Sequence, residues 1–251
     1  MTLKEKIRKG ELTLGSWVTI PHPSVVEIMA TAGFEWLTID IEHSAIDIQS
    51  VQNLIIAIQG KGMKALVRVF ANDEVIIKRV LDAGADGIIV PMIKSKEEAQ
   101  RMIDFVYYPP KGKRGVGLNR AQNYGVGFDA YKEKLEKEII VIAQIEHIQA
   151  IKNLKDILSV SEIDATLIGP YDLSASMGKP GEYTLPEVKQ AISEYDEICK
   201  SLGKPMGAHV ISSDHKQTKE KIAAGYSFLA FSLDFFFLGD KAREEMKNLK
   251  P

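Results

Sequence analysis

The chain has 251 residues, 45% of them hydrophobic and 26% charged, with a formal net charge of −2. This is ordinary globular composition with enough apolar surface for a large core, and α/β barrels of about 250 residues commonly fold as one unit. There is no basic excess to suit duplex nucleic acid, and the lone Cys199 excludes an internal disulfide and a cysteine-built zinc site.

Short apolar runs alternate with longer helical patterns from end to end. Strands are predicted near 13–20, 36–40, 65–69, 87–90, 139–145, 165–168, 206–209 and 228–232. Helices are predicted near 23–32, 48–60, 73–83, 95–105, 149–158, 186–202, 214–224 and 234–248. An Ala-Gly pair precedes the next strand at Ala32-Gly33, Ala83-Gly84 and Ala224-Gly225, as expected where a helix ends and turns into a strand. Cys199 falls on a helical face and reads as a buried structural thiol. The start, Met1 to Arg8, has no apolar stretch of signal-peptide length, and no uninterrupted apolar run approaches the roughly 18 residues that span a bilayer. A soluble, cytoplasmic protein with no membrane partner is the expectation.

The alternating units point to a parallel sheet closed as a (β/α)8 TIM barrel, a single domain over residues 1–251. An open doubly wound sheet is the alternative. It would place a glycine-rich phosphate turn after the first strand, and Trp17-Val18-Thr19-Ile20-Pro21-His22-Pro23 contains no glycine. The longest irregular stretch runs from Tyr107 to Gly127, with Pro109-Pro110, five glycines, Arg114 and Arg120. A loop of that length in a compact fold is usually functional or disordered, and its cations suggest a place near an anionic ligand.

Chemistry concentrates at strand ends. Trp36-Leu37-Thr38-Ile39 ends in Asp40, Glu42 and His43; Leu66-Val67 ends in Arg68; Val141 to Ile145, which includes Gln144, ends in Glu146; and Leu167 to Tyr171, which includes Gly169, ends in Asp172. In a barrel the carboxyl ends of all strands open on one face, so these side chains should share one mouth. Glu146 and Asp172 form the natural metal pair, because two carboxylates suit a hard divalent ion and leave its other positions to water or substrate oxygens. Asp172 also begins a helical turn. His43 beside Asp40 and Glu42 suits acid–base work, since a carboxylate that holds an imidazole raises its basicity. Arg68 suits an oxyanion clamp. His209 ends strand 7 near the mouth. A Schiff-base lysine has no place at these tips: Lys64 precedes strand 3 and Lys94 lies beyond Pro91-Met92-Ile93. The apolar face Phe235-Phe236-Phe237-Leu238 can dock on its own barrel or against another subunit.

The runs from Gly33 to His43, Val67-Arg68-Val69, Gly84 to Pro91, Pro109 to Gly115, Gln144-Ile145-Glu146 and Ile168 to Ser174, in that order over most of the chain, resemble the HpcH/HpaI aldolase family. The resemblance implies a (β/α)8 barrel and a class II pyruvate aldolase acting on small molecules, a 2-oxo acid such as pyruvate and an aldehyde. It implies Mg²⁺, Mn²⁺ or Co²⁺ on Glu146 and Asp172, His43 paired with Asp40 as the acid–base group, and Arg68 as the stabiliser of an enolate. It places the pyruvate carboxylate on backbone amides at Tyr171 and Asp172, with Gln144 and Gly169 beside them. It also implies a homo-oligomer, a hexamer that exchanges its last helix. The sequence departs from the family pattern at Tyr171, on the pyruvate side, and around His209 and at Ser232-Leu233-Asp234, toward the aldehyde end. The expected reaction is cleavage of a 4-hydroxy-2-oxo acid, with His43 taking the C4 hydroxyl proton. A related lyase acting on acyl-CoA thioesters and a non-catalytic binding barrel are the alternatives.

Overall fold

Every predicted strand is present, and each pairs in parallel with its neighbours in the chain. The computed structural model describes residues 1–249. Among the described residues the strands are β1 (Thr13–Val18), β2 (Trp36–Asp40), β3 (Lys64–Arg68), β4 (Gly87–Val90), β5 (Ile140–Ile145), β6 (Ala165–Ile168), β7 (Met206–Val210) and β8 (Phe228–Leu233), closed in that order into a barrel. The fold is the expected (β/α)8 barrel.

The helices are α1 (Leu3–Arg8), α2 (Pro23–Ala30), α3 (Ile48–Gly60), α4 (Glu74–Asp82), α5 (Lys96–Val106), α6 (Phe128–Lys137), α7 (Ile148–Lys152), α8 (Leu154–Leu158), α9 (Pro170–Ser176), α10 (Pro186–Ser201), α11 (His215–Ala223) and α12 (Asp234–Leu249). Three of these are absent from the predicted set: α1, α6 and α9. The predicted helix over 149–158 is divided at Asn153 into α7 and α8. Local chemistry sets the boundaries: Asp47, Asp73, Ser95 and Asp214 each accept from a first-turn amide.

Side chains alternate between two apolar bodies, as period-two strands require. Ala65, Val67, Val141, Ala143 and Ile145 point outward into the layer beneath the helices. Leu66, Ile140 and Ile142 point into the lumen with Trp17, Trp36 and Phe228. Trp36 and Phe228 stack at 4.4 Å. α1 contributes Leu3 and Ile7 to this inner body, so it plugs the end of the lumen where the strands begin. Lys4, buried in that plug, reaches Asp164 at 3.3 Å and the Ile139 carbonyl. Arg8 also pairs with Asp164, whose other oxygen accepts from the Val141 amide at 2.8 Å.

The alternation decides what the mouth contains. The last inward positions of the odd strands are Trp17, Arg68, Gln144 and His209, so an apolar lumen ends in a mostly polar layer. In TIM barrels side chains from alternate strands share such layers.

The seam between β1 and β8 carries a bulge: Gly15 faces Ala230, but Trp17 faces Leu233. Ser232, buried in the bulge, has a φ of 51°. Its carbonyl accepts from Ser16 Oγ at 3.1 Å and lies 3.1 Å from His209 Nε2. Asp234, expected to help shape the aldehyde end, is occupied as a clasp. It accepts from the Thr19 and Ile20 amides at 2.7 and 2.8 Å, and from the Thr19 hydroxyl at 2.7 Å.

In α12 the apolar face divides. Phe237 packs near Phe34 and Phe231, and Phe236 touches the lumen cluster. Phe235 is half-exposed and Leu238 is 68% exposed. Among the described residues no helix is long and apolar enough to cross a membrane.

The stretch from Tyr107 to Gly127 lies on the face opposite the mouth. It follows α5 and contacts the end of α4 and the turn before β4. Arg114 is buried, pairs with Asp82, and donates to the Tyr131 hydroxyl at 2.9 Å. Arg120 donates to the Ala83 carbonyl at 3.1 Å and to Gln59 Oε1 at 2.7 Å. These cations therefore lie away from the strand-tip site. A connection from helix to strand lies at the strands' amino ends.

Candidate active site

The mouth is built by β2, β3, β5 and the turn after β6. Asp40, the last residue of β2, is buried and grips Arg68 of β3 with both oxygens, from Nε at 2.9 Å and from Nη2 at 2.8 Å. The registry Asp40↔Arg68 places the two side by side, and a bidentate pair of this kind fixes the guanidinium plane. The guanidinium also lies 4.2 Å from the Trp17 ring centroid, a cation–π contact that restrains its tilt. On the other side of the lumen His209 stacks with Trp17 at 4.8 Å.

Asp40 does not hold the His43 imidazole, as the resemblance implied. Its oxygens are taken by Arg68 and by the Glu42 and His43 amides at 3.1 and 3.4 Å, so it meets His43 through the backbone and not the ring. The His43 ring points outward, with its side chain 62% exposed, and its nearest carboxylate is Glu42, 3.8 Å from Nε2. Glu42 thus stands between His43 and Arg68, whose Nη1 lies 3.2 Å from Oε2 but outside hydrogen-bond alignment.

Glu146 is buried at the tip of β5. Its Oε1 accepts from the Met92 amide at 2.9 Å, and its Oε2 accepts from Gln144 Nε2. Met92 reaches it from a left-handed conformation, φ 56°, strain of the kind that clusters at functional sites. Gly169 is required by close approach: a Cβ there would lie 2.8 Å from both Glu146 Cβ and Oε2. Asp172 lies in the first turn of α9 after Pro170. The leading amides of such a turn, those of Tyr171 and Asp172 included, have no acceptor within the helix. The Tyr171 side chain is 47% exposed and its ring lies 4.9 Å from that of Tyr183.

The carboxylates feel one another. Burial, reinforced by the neighbouring charges of Asp40 and Asp172 and opposed by Arg68, pushes the Glu42 carboxyl up to about 7. Burial also pushes Glu146 up to about 7, with Glu42 and Asp172 adding to the rise. So the strand-tip acids do converge, and Glu146 and Asp172 lie on the same pole of the barrel. Excess negative charge in a partly desolvated mouth is an unfavourable arrangement for the polypeptide alone.

A divalent cation fits this donor set. Glu42 Oε2 and Gln144 Oε1 are buried without a hydrogen-bond partner, and hard carboxylate oxygens suit Mg²⁺ or Mn²⁺. Among the described residues no three His, Cys, Asp or Glu side chains form a ready-made cage.

Three other histidines make contacts within the fold. His22 and His147 cap α2 and α7 by accepting from the Ser24 and Gln149 amides at 3.2 and 3.0 Å. His209 is held neutral: burial lowers its pKa to about 4. Since a carbonyl only accepts, Nε2 carries the proton donated to Ser232. The sequence reading gave no part to Trp17, the shelf for Arg68, or to the Met92 amide. An aromatic residue ending β1 was the available signal for the first. The second had none, because backbone direction after Pro91 is not written in side-chain type.

Residues 13–238 match the model of the HpcH/HpaI aldolase/citrate lyase family. A pyruvate aldolase from Rhizobium etli is 38% identical over 236 residues, covering 94% of this chain and 92% of that protein. A 2-dehydro-3,6-dideoxy-6-sulfogluconate aldolase from Pseudomonas putida is 34% identical over 245 residues, covering 97% and 95%. The crystal structure of an HpcH/HpaI aldolase/citrate lyase family protein from Burkholderia cenocepacia J2315 superposes with a TM-score of 0.93 at 29% identity, covering 99% of each chain. With this fold, this mouth and a match over nearly the whole length, the chain belongs to the HpcH/HpaI aldolase/citrate lyase family.

Proposed function

We propose that this protein is a metal-dependent aldolase that reversibly cleaves a 4-hydroxy-2-oxo acid into pyruvate and an aldehyde. The observation that carries the reading is a bidentately anchored Arg68 at the carboxyl ends of the strands, in a mouth it shares with the raised carboxyls of Glu42 and Glu146. Curated relatives between 33% and 38% identical are aldolases. Glu146 and Asp172 would hold the cation, Mg²⁺, Mn²⁺ or Co²⁺. When bound, it would supply Lewis-acid stabilisation of negative charge on the 2-oxo oxygen.

The chain's own residues account for the rest. Asp40 orients Arg68, whose Nη1 donates to the oxygen on which charge develops as the C3–C4 bond breaks. The electron pair of that bond passes into C2–C3 to give the enolate, and the aldehyde leaves. His43 Nε2 takes the C4 hydroxyl proton, with Glu42 as its carboxylate neighbour. Return of that proton from His43 to C3 completes pyruvate and restores the neutral imidazole. The first amides of α9, at Tyr171 and Asp172, receive the substrate carboxylate. Gln144 and Gly169 shape that end of the pocket. The exposed Phe235 and Leu238 of α12 support a homo-oligomer, a hexamer in this reading.

The test is pyruvate release from a panel of 4-hydroxy-2-oxo acids. Protein treated with EDTA should lose it and regain it with Mn²⁺ or Co²⁺. Undiminished release after chelation would overturn the reading.

A further inference from the structure

The face opposite the mouth contains a cavity of about 300 Å³, lined by Gln59, Gly84, Arg120, Asn123, Tyr124 and Lys134 among others. We propose that it is a second binding site, for a small oxyanion bearing a phosphate or carboxylate group, with Arg120 as its principal ligand. Arg120 is half-buried and pinned through a backbone carbonyl and an amide oxygen, at Ala83 and Gln59. Neither partner carries charge, and among the described residues no carboxylate lies within ion-pairing distance of the guanidinium. Elsewhere on this face buried cations are matched: Arg114 by Asp82, and Lys4 by Asp164.

Gly84 makes room for this arrangement. Its φ is +102°, and a Cβ there would fall 2.2 Å from Arg120 Nη1. The second cation is Lys134. It is 2.9 Å from Asp86, which it shares with Lys64 at 3.7 Å. Lys64 and Asp86 line the adjoining cavity, which shares Gln59 and Lys134. Lys64 has a second partner in Glu138 at 3.6 Å, whereas Lys134 depends on the shared Asp86 and Arg120 adds a positive charge with no carboxylate of its own. The wall on the solvent side is the segment Arg120–Gly125. There Asn123 and Tyr124 are both left-handed, with φ of 48° and 54°, and Gln122 anchors the turn on the Tyr108 hydroxyl at 3.0 Å. A planar guanidinium with spare N–H groups, an ammonium nearby and amide side chains are the groups that recognise an oxyanion.

Isothermal titration with inorganic phosphate, and separately with succinate, against sodium chloride of equal ionic strength tests the site and distinguishes the two anion classes. The expected result is saturable binding of at least one of them at one per chain, weakened about tenfold or more in Arg120→Gln. Ala121→Glu, which puts a carboxylate on the cavity wall without touching the ion's ligands, should weaken it equally. Pyruvate release by both variants should match the wild type. Absence of saturable binding to the wild type overturns the proposal. So does binding that either folded variant leaves intact, or binding that survives in Arg120→Gln and is lost in Arg68→Gln, which would put the anion at the mouth.

Discussion

The two ends of the barrel treat buried charge in opposite ways. At the floor Asp164 is answered by Lys4 and Arg8, and Asp82 by Arg114. Burial pushes Asp86 up, but Lys134, Gln59 and the Ala65 amide more than offset it and hold the carboxyl below its ordinary value. At the mouth Asp40, Glu42, Glu146 and Asp172 face one partly buried arginine, Arg68, and Glu42 and Glu146 are both pushed up to about 7. Apart from the half-buried Arg120, charge is balanced at the floor, where the fold needs stability, and left unbalanced where a cation and a substrate are to complete it, as expected of stability and activity on the two faces of a TIM barrel.

Paired substitutions should break this comparison if it is wrong, because they carry opposite signs. Asp164→Asn leaves Lys4 buried without its counter-charge and should cost about 3–5 kcal/mol of stability, read as a lower urea midpoint. Glu146→Gln removes a buried charge that its neighbours oppose. A carboxyl whose folded value is about 7 against an ordinary 4.5 weakens the fold above pH 7. That weakening fades as pH falls through 7 and is gone below about 4.5. At pH 8 the metal-free Glu146→Gln protein should therefore be more stable than the wild type, by up to about 3 kcal/mol. At pH 4.5 the gain should vanish.

His209 sharpens the comparison, since it is a mouth residue whose role is structural. Held near 4 in the fold against an ordinary 6.5, it is neutral in the native state while the unfolded chain takes up a proton below pH 6.5. Its contribution is therefore lost as pH falls from about 6.5 to 4, by up to about 3 kcal/mol. The wild type should lose stability relative to His209→Gln across that window, measured as the difference in urea midpoints at pH 7.5 and pH 4.5. A pH-independent difference would show that the fold leaves the ring free to take up its proton as the unfolded chain does.

Much of this was legible in the sequence because it is local. A strand in a closed barrel is an apolar run with a polar end, so β2, β3, β5 and β6 announced Asp40, Arg68, Glu146 and Asp172. The missed α1 and α6 carried readable signals: Thr2 and Glu5 as a capping box before Leu3 and Ile7, and Tyr131 and Leu135 one helical turn apart. The placement of residues 107–127 was also available, since a link from helix to strand cannot reach the mouth. What the sequence withheld is partner choice across the barrel. Asp40 has both Arg68 and His43 within reach of its strand tip, and the parallel registry of β2 and β3 gives it to the arginine. The clasp by Asp234 and the bulge at Ser232 depend on how β8 meets β1, a contact between the chain's two ends.

The account rests on a dication held between Glu146 and Asp172, and calorimetric titration of metal-stripped protein with Mn²⁺ tests this most directly. Wild type should bind one ion per chain, more tightly at pH 8 than at pH 5.5 because the ligands must shed protons. Glu146→Gln and Asp172→Asn should each abolish that binding while the fold persists. Unchanged Mn²⁺ affinity in either variant would contradict it.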